Sequence, residues 1–235
     1  MRNGDNFNLN PFENKEADLV GMNLNFRNSL FFNRGKQHHS TTYSYLSNES
    51  RSLLSVGSAA AYNQSHQLQY QHLIQKSWLI NLSGNTTKTN STSENYPSRN
   101  YEIKSYQIVP KIGYLFSKNA SWDVFYEYQN KENQIGALET LVQSRFGTSF
   151  SINSTKGFSI NGEFSYYKNT FDGNNLAPVA FQMLEGLQPG KNQTWRLLLQ
   201  KNLTQYLDIN INYQGRDSET SKTIHTGNIQ LRAFF

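Results

Sequence analysis

Apolar and polar residues alternate along most of this chain. That predicts an all-β fold: an antiparallel transmembrane β-barrel of about twelve strands, complete in itself or the C-terminal part of a larger barrel. Two further observations agree. Charged residues are 17% and aromatics 14% of the 235 residues, with a mean hydropathy of -0.69. A soluble globular chain carries roughly a quarter charged residues; here Asn, Gln, Ser and Thr stand in their place. A composition both polar and aromatic suits strands with one face in lipid and the other in water. The connections also alternate between short and long, as they do between the two ends of a membrane barrel.

Taken in order, Met1–Glu16 is polar and reads as a disordered lead-in or the end of an upstream region. It has no apolar core of the kind a secretory signal needs. The expectation is a chain whose signal was removed, or a fragment of a longer exported one, with the fragment preferred. Residues 17–235 are then the barrel. Met22, Leu24, Phe26, Leu30 and Phe32 alternate with Asn23, Asn25, Arg27 and Ser29. Leu68, Tyr70 and Ile74 do so with Gln67, Gln69 and Gln71, and Trp78, Ile80 and Leu82 with Asn81 and Ser83. One face is shared by Ile108, Ile112, Tyr114 and Phe116, another by Trp122, Val124, Tyr126 and Tyr128, and another by Phe158, Ile160, Gly162, Phe164 and Tyr166. Weaker strands fall near Thr41–Ser47, Ser52–Tyr62, Leu141–Ile152 and Thr194–Gln200. The last two are clearest. Leu207, Ile209, Ile211 and Tyr213 oppose Asp208, Asn210, Asn212 and Gln214; Gly227, Ile229, Leu231, Ala233 and Phe235 oppose Thr226, Asn228, Gln230 and Arg232.

Short turns are expected at Gln75–Ser77, Ser117–Ser121, Asn153–Gly157 and Lys201–Gln205. Longer polar loops are expected at Gly84–Asn100, Asn130–Thr140, Asn169–Asn192 and Gly215–Ser221. On that pattern the last strand runs inward, and an even strand count starts the first strand on the same side. Trp78 and Trp122 open strands after short turns and Trp195 opens one after a long loop, positions that suit indoles at a membrane–water interface.

Several classes are excluded or disfavoured. There is no Cys, hence no disulfide or thiolate metal site. The net charge of +5 and pI near 9.2 come from dispersed Lys and Arg, so no nucleic-acid partner is expected. No run reaches the ~18 apolar residues of a transmembrane helix.

The closing segment, Ile224–Phe235 (IHTGNIQLRAFF), resembles the last strand of outer-membrane barrels, which ends in an aromatic residue preceded by alternating apolar positions. The resemblance implies an assembly signal at Gly227, Leu231, Ala233 and Phe235, read by the barrel assembly machinery; Gln230 departs from the usual apolar position. Ala180–Arg216 is similar to the C-terminal region of Bacteroidota outer-membrane proteins of unassigned activity. This implies a Gram-negative cell outer membrane, with outer-membrane lipid as surroundings, and supplies no catalytic residues.

The polar face would carry Arg27, Lys111, Asp123, Glu127, Arg145, Glu163, Arg196, Asp208 and Arg232 as lumen-facing residues. In a narrow barrel such charges pair across strands into a structural network or line a polar channel. No metal or cofactor is expected: His38 and His39 point apart on a strand, His66 and His72 are too far apart, and His225 stands alone. No G-x-S-x-G elbow occurs, and Asp123 and Glu127, about 13 Å apart by strand rise, are too distant for a glycosidase pair. The apolar stretch Ala180–Leu187 inside a long loop is expected to fold into the barrel mouth, extend a strand, or dock an upstream domain or partner protein. The function expected is a structural anchor or a passive or partner-gated channel. The alternatives are a soluble or cell-surface glycan-binding β-sandwich and, less favoured, a barrel-embedded lipid hydrolase.

Overall fold

In the computed structural model, which describes residues 21–34, 38–54, 57–154 and 157–233, the chain is one antiparallel meander. Its strands are β1 (Gly21–Phe32), β2 (His39–Leu54), β3 (Gly57–Ile74), β4 (Trp78–Ser93), β5 (Tyr101–Ser117), β6 (Ala120–Asn133), β7 (Thr140–Ser154), β8 (Phe158–Asp172), β9 (Gly190–Thr204), β10 (Leu207–Ser218) and β11 (Ser221–Ala233). Each pairs with its sequence neighbours, giving an 11-stranded sheet in the order β1 to β11. The all-β antiparallel fold class expected from the alternation is the one observed. The strand count among the described residues is one fewer than the expected twelve or so, and the sheet is open, with β1 and β11 as its edges. Because every step is antiparallel, β1 and β11 run in the same direction. The lead-in Met1–Glu16, the boundary at Ala17 and Phe235 lie outside the described residues.

The turns sort by end. At one end lie the connections after β1, β3, β5, β7 and β9; at the other lie those after β2, β4, β6, β8 and β10. The second group contains the longer loops, but strands run further into them than the sequence predicts. β4 continues to Ser93 through the expected loop Gly84–Asn100, and β6 to Asn133. The loop expected at Gly215–Ser221 shrinks to a tight turn between Ser218 and Ser221. The weak segment Ser52–Tyr62 is divided between the end of β2 and the start of β3. Polar alternation hid these extensions: past the apolar stretch both faces are polar, and period-2 patterning disappears although the ladder continues. Pro110 in β5 leaves a gap in the ladder with β6, which is registered at Ile108↔Tyr128 and resumes at Lys111↔Phe125, as a residue without an N–H requires.

The loop between β8 and β9 contains a helix, α1 (Pro178–Leu184). Pro178 sits in its first turn, and Glu185 (φ 54°) with Gly186 (φ 79°) ends it in left-handed backbone. Of the inward folding, strand extension and docking that this apolar stretch allows, the structure shows it folded back onto the sheet. Val179, Ala180, Met183 and Leu184 bury against Ile103 of β5 and Leu141 of β7, flanked by Tyr101, Phe171 and Ala177.

Candidate functional site

The register decides which side chains share a face. Glu127↔Arg145, Gly113↔Asp123, Glu163↔Arg196, Asp208↔Arg232 and Arg27↔Leu46 are cross-strand partners, and Lys111 pairs with Phe125 two residues along β6 from Asp123 and Glu127. Followed across the ladder, these pairings put Arg27, Lys111, Asp123, Glu127, Arg145, Glu163, Arg196, Asp208 and Arg232 on one face, the polar face. Only some of them are joined.

Arg145 is the centre of that joining. Its guanidinium pairs with Glu127 Oε2 at 3.2 Å and with the Glu163 carboxylate, and its Nε donates to Ser165 Oγ at 3.0 Å. Phe125 and Tyr167 hold it from two sides, 4.8 and 5.2 Å from the guanidinium carbon. Gln107 Nε2 donates to the other oxygen of Glu127 at 2.6 Å. Next to this cluster, Lys111 Nζ pairs with Asp123 at 3.0 Å. Arg27, Arg196, Asp208 and Arg232 join no ion pair among the described residues.

Above this network α1 is strapped down from several strands. Lys131 of β6, itself buried, donates to Met183 O at 2.9 Å and pairs with Glu185 at 2.5 Å. Arg216 Nη1 of β10 donates to Gly186 O at 3.1 Å. Asn169 Nδ2 and Asn192 Nδ2 both donate to Gln188 O, at 3.0 and 2.8 Å. Lys131 was not singled out in the sequence; its signal was parity, since it falls on the same face as Glu127. Beside α1 a cleft of about 500 Å³ is lined by Glu163, Glu185, Thr194, Arg196, Gln214, Arg216 and Thr226 among others.

The opposite face is apolar over the half nearer the short turns. On β5 the side chains from Tyr106 to Phe116 cover about 34 Å of strand. Leu68, Leu82, Ile108 and Ile112 are exposed there, at 53, 47, 51 and 52%. Aromatic rows bound this band. Trp78 packs on Tyr114, and Tyr114 on Phe116, at 4.9 and 4.8 Å between ring centres. Trp122 Nε1 donates to Thr148 Oγ1 at 2.7 Å. At the far side, Tyr43 and Tyr45 contact His66, Tyr106 lies near Tyr128, and Tyr213 stacks on His225 beside Trp195. Beyond this row the same face turns charged, with Lys88 paired to Glu102 at 2.8 Å and Lys191 to Glu219 at 3.2 Å. Trp78 opens β4 and Trp122 lies near the start of β6; Trp195, expected to open a strand, is instead inside β9, which begins at Gly190, and falls in the far aromatic row.

Glycines seat aromatic rings on both faces. Phe125 faces Gly147, Phe150 faces Gly162, and Trp195 faces Gly215 across the ladder, each ring lying where a Cβ on the glycine would be. Gly227, in the segment resembling an assembly signal, has no atom within 4 Å of the Cβ position. His38, His39, His66, His72 and His225 form no group of three potential metal ligands among the described residues. No helix among them is long and apolar enough to cross a membrane, which says nothing of strands.

No protein-family profile matches the chain, and no curated protein does. Among solved structures it is similar to the NanC porin, at 12% identity and a TM-score of 0.42, over 90% of this chain and 99% of that one. It is similar to CdiB from Acinetobacter baumannii at 12% identity and a TM-score of 0.46, over 86% of this chain and 39% of that one. The translocator domain of autotransporter NalP from Neisseria meningitidis matches at 10% identity and a TM-score of 0.39, covering 92% of this chain and 82% of the domain.

Proposed function

We propose that this chain is an outer-membrane β-barrel segment that anchors in lipid through its apolar face and offers its polar face to a water-filled, partly plugged lumen. The observation that carries the proposal is the division of the sheet: an aromatic-bounded apolar band on one face, ion pairs and a docked helix on the other. A strand run of about 34 Å tilted by roughly 45° spans about 25 Å, the height of the apolar belt of outer-membrane barrels. Lipid contains no water to satisfy backbone groups, so spanning strands must pair into a closed sheet. β1 and β11 run in the same direction, so an all-antiparallel closure needs an odd number of further strands. This supports closure with at least one strand beyond the described ones, whether from this chain or from a larger barrel of the kind the resemblance to Bacteroidota proteins implies.

The role is structural anchoring with passive or partner-gated passage, and no catalysis is assigned. The assembly machinery would act at the β11 end and a partner or upstream domain at the long-loop end. The test is refolding the full chain with and without detergent micelles. A β-rich band that changes migration on boiling, formed only with amphiphile, is expected. A monodisperse β-rich protein in plain buffer would overturn the membrane assignment and favour a soluble glycan-binding sheet.

A further inference from the structure

The polar face carries more cations than its acids neutralise, and two of those without an ion pair among the described residues, Arg196 and Arg216, line one cleft. Glu163 is already paired with Arg145, and Glu185 with Lys131. Arg145 also serves Glu127, so Arg145, Lys131, Arg196 and Arg216 stand against the three carboxylates of Glu127, Glu163 and Glu185, and the cleft keeps a net positive charge. The two arginines are diagonal neighbours: Arg196 faces Gln214 across the β9–β10 ladder, and Thr194 faces Arg216. Diagonal positions lie roughly 7–8 Å apart, within common reach of one small ligand. Arg216 uses one N–H on Gly186 O, leaving most of its five donors free, and Arg196 has no ion pair or side-chain hydrogen bond among the described residues. Gln214, Thr194 and Thr226 add neutral donors to the wall. Two like charges placed side by side without an acid between them repel each other, unless an anion joins them.

We propose that Arg196 and Arg216, beneath α1, form a binding site for a small solute bearing a carboxylate or phosphate group. Forked guanidiniums match the geometry of both oxyanions. The cleft holds about 500 Å³, enough for a small organic anion and too little for a polymer to fold into. The site rests on the barrel proposal only for its meaning as a lumen selectivity site; the binding itself depends on the sheet alone.

The experiment is calorimetric titration of the folded full chain, in micelles or buffer according to where it folds, with inorganic phosphate and, separately, succinate. Arg196→Gln, Arg216→Gln and the double variant are compared with Lys201→Gln, which removes a charge from the other face. Saturable binding of either probe, weakened about tenfold or more by each arginine substitution and unchanged by Lys201→Gln, is expected. Binding of phosphate alone or succinate alone identifies which oxyanion the cleft prefers. No saturable binding, or equal losses in all variants including Lys201→Gln, overturns the site. The folding condition itself judges the barrel proposal separately. Because all three substituted positions are exposed on strands, heat-modifiable or cooperative unfolding of each of the four variants verifies the fold before titration.

Discussion

The centre of the sheet and its edges are built from the same alternating sequence yet consolidated differently. From β5 to β9 the polar face holds Leu141 and Met183 fully buried, a helix strapped by Lys131, and Arg145 between two carboxylates and two rings. On β11 every described residue is exposed, and at β1 nearly all are. Near the edges the polar face leaves Asn48, Asn63, Asn210 and Asn212 with side-chain oxygens that are buried and unpartnered. The contrast teaches that alternation builds a ladder, whereas consolidation of the polar face requires something to cover it. In the centre α1 does so; near the edges no element among the described residues covers these groups.

Matched substitutions can break the comparison. The largest difference is expected at arginine. Arg145→Met leaves Glu127, whose side chain is 10% exposed, without its cation, and should cost about 3–5 kcal/mol in urea unfolding from lipid or detergent. Arg232→Met on the exposed β11 should stay within about 0.5 kcal/mol. Equal losses would mean that the centre is no more consolidated than the edge. A Glu127→Gln change added to Arg145→Met should recover part of the loss.

Glycine gives a smaller contrast. Gly147→Ala drives a methyl into the Phe125 ring and should cost about 1–3 kcal/mol. Gly227→Ala meets nothing within 4 Å and should stay within about 0.5 kcal/mol. If Gly227→Ala instead abolishes membrane insertion while leaving the refolded protein stable, its role is in assembly.

The smallest effect is at the long-loop end. The Lys191 backbone N–H and ammonium hold the Glu219 carboxyl below its ordinary value of 4.5. A lowered folded pKa contributes stability that is fully present above 4.5 and is lost as pH falls through the lowered value. Glu219→Gln should therefore unfold slightly earlier than the parent at neutral pH, and the two midpoints should converge in acid. A constant offset at all pH values would remove the carboxylate from the account. Glu94, held low by the Ser58 N–H at 2.9 Å, should behave in the same direction.

Much of the molecule was legible beforehand. The period-2 pattern at Leu207–Gln214 or Trp122–Tyr128 fixes face and strand together, because one residue of slip would turn every apolar side chain over. The same parity is why the polar-face charges, chosen from sequence, fall on one side of the ladder. Strand ends were less legible: in Thr86–Ser93 both faces are polar, so the ladder continues where the pattern has vanished. The helix was not legible in the sequence; only its apolar run, Ala180–Leu187, stood out, as part of a loop.

By itself, then, the sequence determined that this chain is built mainly of strands and which residues share a face, since both follow from local alternation. Which charges meet was decided by register: Arg145 reaches Glu127 and Glu163 because β6, β7 and β8 align there, while Arg196, directly opposite Glu163, is left for another partner. Tertiary structure also decided that α1 turns inward, because Ile103 and Leu141, far apart in the chain, together supply the apolar floor that a short helix needs to be buried.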